Sequence, residues 1–143
     1  MSAIVGFEGN RRFLSNFWPV QVELEGIKFP SVEHAYQAAK TLDIEARRQV
    51  AMAHTSAEAK KLGRMLKIRD DWTQVKEAVM RDLLIQKFAQ APFTTRLIET
   101  GDSFLEEANT WGDTYWGVYR GEGQNRLGSI LMDIRADLLA IAK

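Results

Sequence analysis

Glu33, Tyr36, Gln37 and Lys40 follow the spacing i, i+3, i+4 and i+7. A helix through them sets a carboxylate, a phenol, an amide and an ammonium group on one face. Glu33 and Lys40 stand two turns apart, roughly 10 Å along the axis. That is too far for a simple helix-surface ion pair, but a sugar fits between them. The same spacing also describes a solvated face with Lys40 turned to water, because charged side chains are mostly exposed.

Three other segments carry candidate chemistry. Trp111-Gly112-Asp113-Thr114-Tyr115-Trp116-Gly117 combines aromatic faces that stack a base with glycines that let backbone approach a ligand. It reads equally as a tight turn entering a core strand. Gly121-Glu122-Gly123-Gln124-Asn125-Arg126-Leu127-Gly128 is a glycine-rich loop opening a helix, where backbone N–H groups hold phosphates. It lacks the Gly-Lys-Ser/Thr of a Walker loop, and Arg126 occupies the third glycine position of the dinucleotide fingerprint. A flexible connection explains it as well. In Phe13-Leu14-Ser15-Asn16-Phe17-Trp18, Ser15 and Asn16 interrupt an aromatic run, either to bond a sugar or base edge or to make a turn. Arg64 and Lys87 are further candidate phosphate ligands, whereas Trp18 and Trp72 read as core or rim residues.

Composition narrows the chemistry. The absence of cysteine excludes a cysteine nucleophile, a thiolate zinc site and an iron–sulfur cluster. His34 and His54 are too few for a histidine-rich metal centre, although a carboxylate-held ion stays open; the expectation is no metal and no cofactor. The 19 basic and 19 acidic residues cancel. A protein that grips long nucleic acid through its phosphates carries a basic excess. Contact with nucleic acid would therefore be local, and a nucleotide-sized molecule fits equally well. No apolar run approaches a bilayer span and the N-terminus lacks a signal-peptide layout, so the expected location is cytoplasmic, away from membranes.

The elements that must position these groups can be read in outline. Val20 to Leu24 alternates apolar and polar residues, Glu25-Gly26 offers a turn, and Ile27 to Phe29 resumes the alternation. Arg12 to Phe17 is another short strand or a loop leading into that hairpin. Ser31 caps a helix with Val32, Ala35, Ala39 and Leu42 on one side, and Glu33 in its first turn. Asp43 caps a second helix through about Ala53, and Ser56 a third, weakened at its end by Gly63. A longer helix follows from about Asp71 to Gln90, burying Val75, Val79, Leu83 and Phe88. Ala91-Pro92 breaks it, and Phe93 to Thr100 forms a short helix closed by Gly101. Tyr115 to Tyr119 reads as a strand, and Asn125 to Ala142 as an amphipathic helix carrying Leu127, Ile130, Leu131, Ile134, Leu138 and Ile141. No repeat or linker divides residues 1–143. The expected fold is a single helix-rich α+β domain with a small N-terminal β-hairpin and a few short strands.

Taken in order, these segments resemble the NADAR (NAD- and ADP-ribose-associated) family, also described as the YbiA-like N-glycosidases. The resemblance runs from Phe13-Leu14-Ser15-Asn16-Phe17 through Phe29-Pro30-Ser31-Val32-Glu33-His34-Ala35-Tyr36-Gln37-Ala38-Ala39-Lys40 and Ala59-Lys60-Lys61-Leu62-Gly63-Arg64. It continues at Met80, Lys87-Phe88, Glu99-Thr100-Gly101, Asn109, Asp113-Thr114-Tyr115-Trp116-Gly117 and Asn125 to Met132. It implies hydrolysis of an N-glycosidic bond to ribose. Members are associated with removing ADP-ribose from guanine in nucleic acid, others with cleaving phosphorylated riboflavin intermediates. Their occurrence in phages and beside toxins that ADP-ribosylate DNA suggests repair or counter-defence.

On that resemblance Glu33 stabilises charge at the anomeric carbon or activates water, and Lys40 either attacks that carbon to form a Schiff base or holds phosphate and hydroxyl groups. The resemblance leans towards covalent participation of Lys40. Asp113 orients Lys40 or assists the leaving base. Phe17 and Trp116, with Tyr36, Gln37 and Gly117, are candidate contacts of base and sugar; Asn16 fixes a hydroxyl; Arg64 or the Asn125 loop takes a diphosphate. The expected partner is ADP-ribosylated nucleic acid or an ADP-ribose-like nucleotide. The alternatives are a glycosidase of riboflavin-pathway nucleotides that releases ribose 5-phosphate, a non-catalytic ADP-ribose-binding module, and a helical interaction protein without a small ligand.

Overall fold

The computed structural model describes residues 2–142, which form two compact units: residues 16–87, and residues 2–15 with 88–142. Mixed α and β structure matches the expected class. In chain order the strands are β1 (Ala3–Val5), β2 (Pro19–Leu24), β3 (Ile27–Ser31), β4 (Phe104–Glu106), β5 (Ala108–Asn109) and β6 (Val118–Tyr119). The α-helices are α1 (Val32–Ala39), α2 (Ile44–Ala51), α3 (Ser56–Gly63), α4 (Trp72–Phe88), α5 (Phe93–Ile98) and α6 (Arg126–Ile141). Among the described residues no helix is long and apolar enough to cross a membrane.

In the unit of residues 16–87, β2 and β3 form the expected antiparallel hairpin with Leu24 opposite Ile27 and Val22 opposite Phe29. Its turn residues Glu25 and Gly26 both take positive φ, 46° and 87°, the backbone a two-residue hairpin turn needs. Val20, Val22 and Phe29 point to the core. The Gln86 amide of α4 holds the free edge of β2, accepting from Glu23 N–H and donating to Glu23 C=O, both at 2.8 Å. The hairpin packs on α1, which also touches α2 and α3.

α1 is buried at every one of its eight positions. The solvated-face reading of Glu33, Tyr36 and Gln37 is therefore excluded, and only Lys40, at the C-cap, is half-buried. The helix ends earlier than the apolar spacing implied. Leu42 lies beyond it and is 63% exposed, because Asp43 already begins the next helix, accepting from Glu45 and Ala46 N–H.

α3 is capped by Thr55, not by Ser56. The Thr55 side chain accepts from Glu58 N–H at 3.1 Å, while the Glu58 carboxylate accepts from His54 N–H at 3.2 Å. This near-reciprocal pairing is a variant of the capping box. It frees the Ser56 hydroxyl to turn inwards, where it lies 2.9 Å from the Phe17 carbonyl and 3.0 Å from Ser31 Oγ. Lys87, a candidate phosphate ligand by sequence, is wholly buried in the last turn of α4, and desolvation pushes its ammonium down to about 7. It offers nothing to a ligand at the surface. Met80, Leu83 and Leu84 are buried on the same helix, with Val75 and Val79 only half-buried.

In the other unit, β1 pairs in parallel with β4, and β5 with β6. Gly9–Leu14 forms a 3-10 helix. The stretch Arg12 to Phe17 is thus neither a strand nor a plain loop, since Ser15 N–H closes back on the Arg12 carbonyl. Tyr115 to Gly117 also stays out of a strand; only Val118 and Tyr119 pair. α6 packs on β4 and α5 through Leu127, Ile130, Leu131 and Ile134, whereas Ile141, expected inside, is 80% exposed. Gly128 makes that packing possible: a Cβ there would stand 2.1 Å from the Leu105 carbonyl.

Candidate functional site

The unit of residues 16–87 gathers Asn16, Phe17, Glu33, Tyr36, Gln37, Lys40 and Arg64, whereas Asp113, Trp116, Gly117 and Asn125 belong to the other unit. Each group has its own local logic.

In the first group the short loop Asn16–Phe17 is tied to the start of α1. The Asn16 carbonyl accepts from Glu33 N–H at 3.1 Å, one of the amides a helix N-terminus leaves unpaired. One turn on, Gln37 Nε2 donates to Glu33 Oε2 at 2.6 Å, so the carboxylate is held in a fixed direction. Two buried acceptors have no protein partner among the described residues: Gln37 Oε1 and Asn16 Oδ1. Such atoms are costly to bury unless a donor reaches them. Tyr36 packs its ring on Trp72 at 5.1 Å, tilted by 54°, and Lys40 Nζ lies 5.7 Å from the Tyr36 ring.

Lys40 is fixed through its backbone, its N–H donating to the Gln37 carbonyl and its own carbonyl accepting from Arg69 N–H at 2.7 Å. Burial lowers the ammonium's pKa below that of an ordinary lysine. The Glu33 charge works against that shift, while Lys60 and Arg64 add to it. Arg64 is exposed at the C-cap of α3.

Lys60 is not among the site residues expected from the sequence. Its Nζ sits 5.9 Å from the Phe17 ring. The signal was its position four residues before Arg64, which places both on one face of α3.

In the second group Asp113 Oδ1 accepts from Tyr115 N–H and Trp116 N–H at 3.0 and 2.9 Å, and the Asn109 side chain bonds both the N–H and the C=O of Asp113. These bonds define the loop. The Trp116 ring meets Tyr115 edge-on at 4.9 Å. Gly117 lies against Glu107: a Cβ would stand 1.8 Å from its carboxylate, so only glycine fits.

Asn125 takes the left-handed conformation, and its amide accepts from Glu107 N–H and donates to the Leu105 carbonyl, both at 2.9 Å. It acts as a surrogate strand partner for the β4–β5 segment. The local geometry thus supports a structural role for Asn125 rather than a hold on a diphosphate. An Asp113→Asn chain keeps the Oδ1 acceptor and is expected to unfold in urea like the wild type. Asp113→Ala should lose about 1–2 kcal/mol, as two amides lose their acceptor.

Among the described residues no three His, Asp or Glu side chains gather into a metal-binding group. What the first group offers instead is an oriented carboxylate, an amine biased towards its neutral form, two unsatisfied acceptors and aromatic rings.

Comparison with known proteins agrees with the family resemblance. The NADAR domain model matches residues 7–139. The N-glycosidase YbiA of Escherichia coli (strain K12) is 40% identical over 135 residues, covering 90% of this chain and 82% of that protein. A riboflavin biosynthesis protein of Vibrio vulnificus (strain YJ016) is 38% identical over 133 residues; the match covers 90% of this chain but only 36% of that longer protein. The NMR structure of E. coli YbiA superposes with a TM-score of 0.84 at 35% identity, covering 99% of this chain and 88% of that one. The chain belongs to the NADAR domain family and is a homologue of the N-glycosidase YbiA.

Proposed function

We propose that this protein hydrolyses the N-glycosidic bond between ribose and a base, and that its substrate is ADP-ribosylated guanine in nucleic acid. The observation that carries the reaction type is the pairing of an oriented Glu33 with a pKa-lowered Lys40 on one buried helix of a YbiA homologue. The motif resemblance supports the choice of ADP-ribosylated guanine. The zero net charge agrees with recognition of one modified nucleotide rather than a long phosphate track.

In the proposed step neutral Lys40 attacks the anomeric carbon as the bond from that carbon to the base nitrogen breaks. The electron pair leaves with the base, and the proton shed by the amine balances the one the base takes up. Opening of the sugar ring, with proton uptake on its oxygen, gives a protonated imine. Water hydrolyses that imine to free the aldehyde of ADP-ribose and regenerate the amine. Glu33 stabilises the positive charge that grows at the anomeric carbon and then activates the water. Asn16 Oδ1 and Gln37 Oε1 are acceptors for ribose hydroxyls, Phe17 and Tyr36 supply aromatic walls, and Arg64 meets the diphosphate.

Gly63 is part of this arrangement. A Cβ at residue 63 would stand 1.9 Å from Gln37 Oε1 and 2.7 Å from its Cδ. Gly63→Ala should therefore push the amide off Glu33. Turnover is expected to fall by about 10- to 100-fold, since a misplacement near 1 Å is enough for that. Stability should fall by about 1–2 kcal/mol, because overpacking costs about 1–3 kcal/mol and the helix propensity gained returns at most about 1 kcal/mol. Paired thermal melts and kinetics check this.

The riboflavin biosynthesis name of the Vibrio relative favours one second reading, cleavage of a phosphoribosyl intermediate of riboflavin formation with release of ribose 5-phosphate. Measuring kcat/KM for both substrates with one enzyme preparation decides between them. A higher value for the ADP-ribosylated guanine oligonucleotide supports the proposed substrate, and the reverse order replaces it.

A further inference from the structure

His34 follows Glu33 on α1, is almost wholly buried, and takes no part in the proposed reaction. Both of its ring nitrogens are engaged. Nε2 stands 3.0 Å from the Ala53 carbonyl, and Nδ1 stands 2.6 Å from Ser31 Oγ. Ser31 Oγ also accepts from His34 N–H as the cap of α1, and it lies 3.0 Å from Ser56 Oγ at the start of α3. Ser56 Oγ in turn lies 2.9 Å from the Phe17 carbonyl. A continuous chain of polar atoms thus runs from the imidazole to the loop Asn16–Phe17. The neighbouring Asn16 carbonyl already holds Glu33 N–H. Ser31, His34 and Ser56 are all buried, so the chain is closed to bulk water.

The direction of this chain follows from its protons. A carbonyl only accepts, so Nε2 carries hydrogen and, in the neutral ring, Nδ1 is an acceptor. Ser31 must then donate to Nδ1. Ser56 has one proton to divide between Ser31 Oγ and the Phe17 carbonyl. Two hydroxyl protons therefore serve three contacts. A proton on Nδ1 supplies the third: Nδ1–H donates to Ser31, Ser31 to Ser56, and Ser56 to Phe17 without competition. We infer that His34, Ser31 and Ser56 form a positioning relay that fixes the Phe17 carbonyl, and with it the Asn16 and Phe17 side chains, where the substrate meets them. The inference rests on the reading that Asn16 and Phe17 contact the sugar and base. Burial pushes the His34 pKa below the ordinary histidine value, against the opposing pull of the Ala53 carbonyl and of the Glu58 charge on α3. The shared Ser56 bond is therefore the state at neutral pH, and acidification commits it to Phe17.

NMR of the histidine ring nitrogens and of the Phe17 carbonyl carbon, followed from neutral to acid pH on the full chain, tests the relay without substrate. At neutral pH the His34 ring should be the Nε2–H tautomer, and the wild-type Phe17 carbonyl signal should shift with the midpoint of His34. In Ser56→Ala that signal should no longer follow His34. Exposed His54 titrates in the same spectra and gives a midpoint that the Phe17 signal should not share. An Nδ1–H tautomer at neutral pH, or a wild-type Phe17 signal that ignores His34, overturns the proposal. Turnover of the ADP-ribosylated guanine oligonucleotide is the second readout. Ser56→Ala is expected to raise KM about tenfold, the equivalent of one hydrogen bond, with kcat within about threefold of wild type. Ser56→Thr keeps a hydroxyl and should restore KM. A variant that merely lost stability would lower kcat with its folded fraction and leave KM unchanged, and that result also overturns the relay. Should Ser56→Ala fail to fold, the wild-type titration decides. Coupled His34 and Phe17 signals in a protein that cleaves no glycoside would leave the relay standing and remove the proposed reaction.

Discussion

Lys40→Ala is expected to abolish turnover, by at least about a thousandfold, the scale on which removal of a nucleophile acts. Lys40→Arg should be equally inactive. A guanidinium keeps positive charge at that point but stays protonated and cannot attack. A residue that only held phosphate would tolerate the exchange, so retained turnover by Lys40→Arg would contradict the Schiff-base step. The fold should survive both changes, because Lys40 is a half-buried cap whose local hydrogen bonds run through its backbone. Borohydride added during turnover should trap wild-type enzyme as a covalent sugar adduct and leave Lys40→Arg unmodified. The sign of the pH dependence follows from the environment. The neutral amine is the reactive form, so kcat/KM rises with pH and levels off above a Lys40 pKa that burial places below its ordinary value of 10.5.

Glu33→Gln is expected to lower kcat by about 10²- to 10⁴-fold, as loss of a general base or of charge stabilisation at the reacting carbon does. The new amide oxygen can still accept from Gln37 Nε2, so a drop in kcat with little change in KM isolates the charge. Lys60 pushes the Lys40 pKa down, so Lys60→Gln should move the rising limb of kcat/KM to higher pH, and Glu33→Gln should move it the other way. Glu33 holds the Lys40 pKa up, so its neutralisation lowers that pKa and the limb shifts to lower pH. Two substitutions with opposite shifts of one titration would identify Lys40 as the titrating group. An unchanged kcat in Glu33→Gln would remove the carboxylate from the chemistry.

The sequence exposed some parts of this arrangement and hid others for physical reasons. The hairpin was legible because period-two alternation and a Glu-Gly turn specify both register and reversal, and α1 because Ser31, Glu33 and the apolar spacing agree. That the polar stripe of α1 is buried was not legible. Pattern alone gives polar residues to solvent, and only packing shows Gln37 joined to Glu33 inside the protein. Ser56 read as a cap because Thr55 and Ser56 are neighbouring hydroxyl residues; the Thr55-x-x-Glu58 spacing contained the answer. Tyr115 to Gly117 looked like a strand because aromatic residues favour one. Asp113 instead captures the next amides and bends the chain. Lys87 resembled any basic surface residue until α4 was seen to bury it completely. Lys60 was hidden by adjacent Lys61, and the phase of α3 separates them: Lys60 is half-buried, Lys61 exposed.

Whether this chain breaks a ribose–base bond with Lys40 is open to one decisive measurement. Mass spectrometry of an oligonucleotide carrying one ADP-ribosylated guanine, incubated with wild type and with folded Lys40→Ala, tests that most directly. The predicted result is loss of the ADP-ribose mass and recovery of unmodified oligonucleotide with wild type alone. No release by folded wild type would contradict the proposed substrate, and equal release by Lys40→Ala would contradict the role given to Lys40.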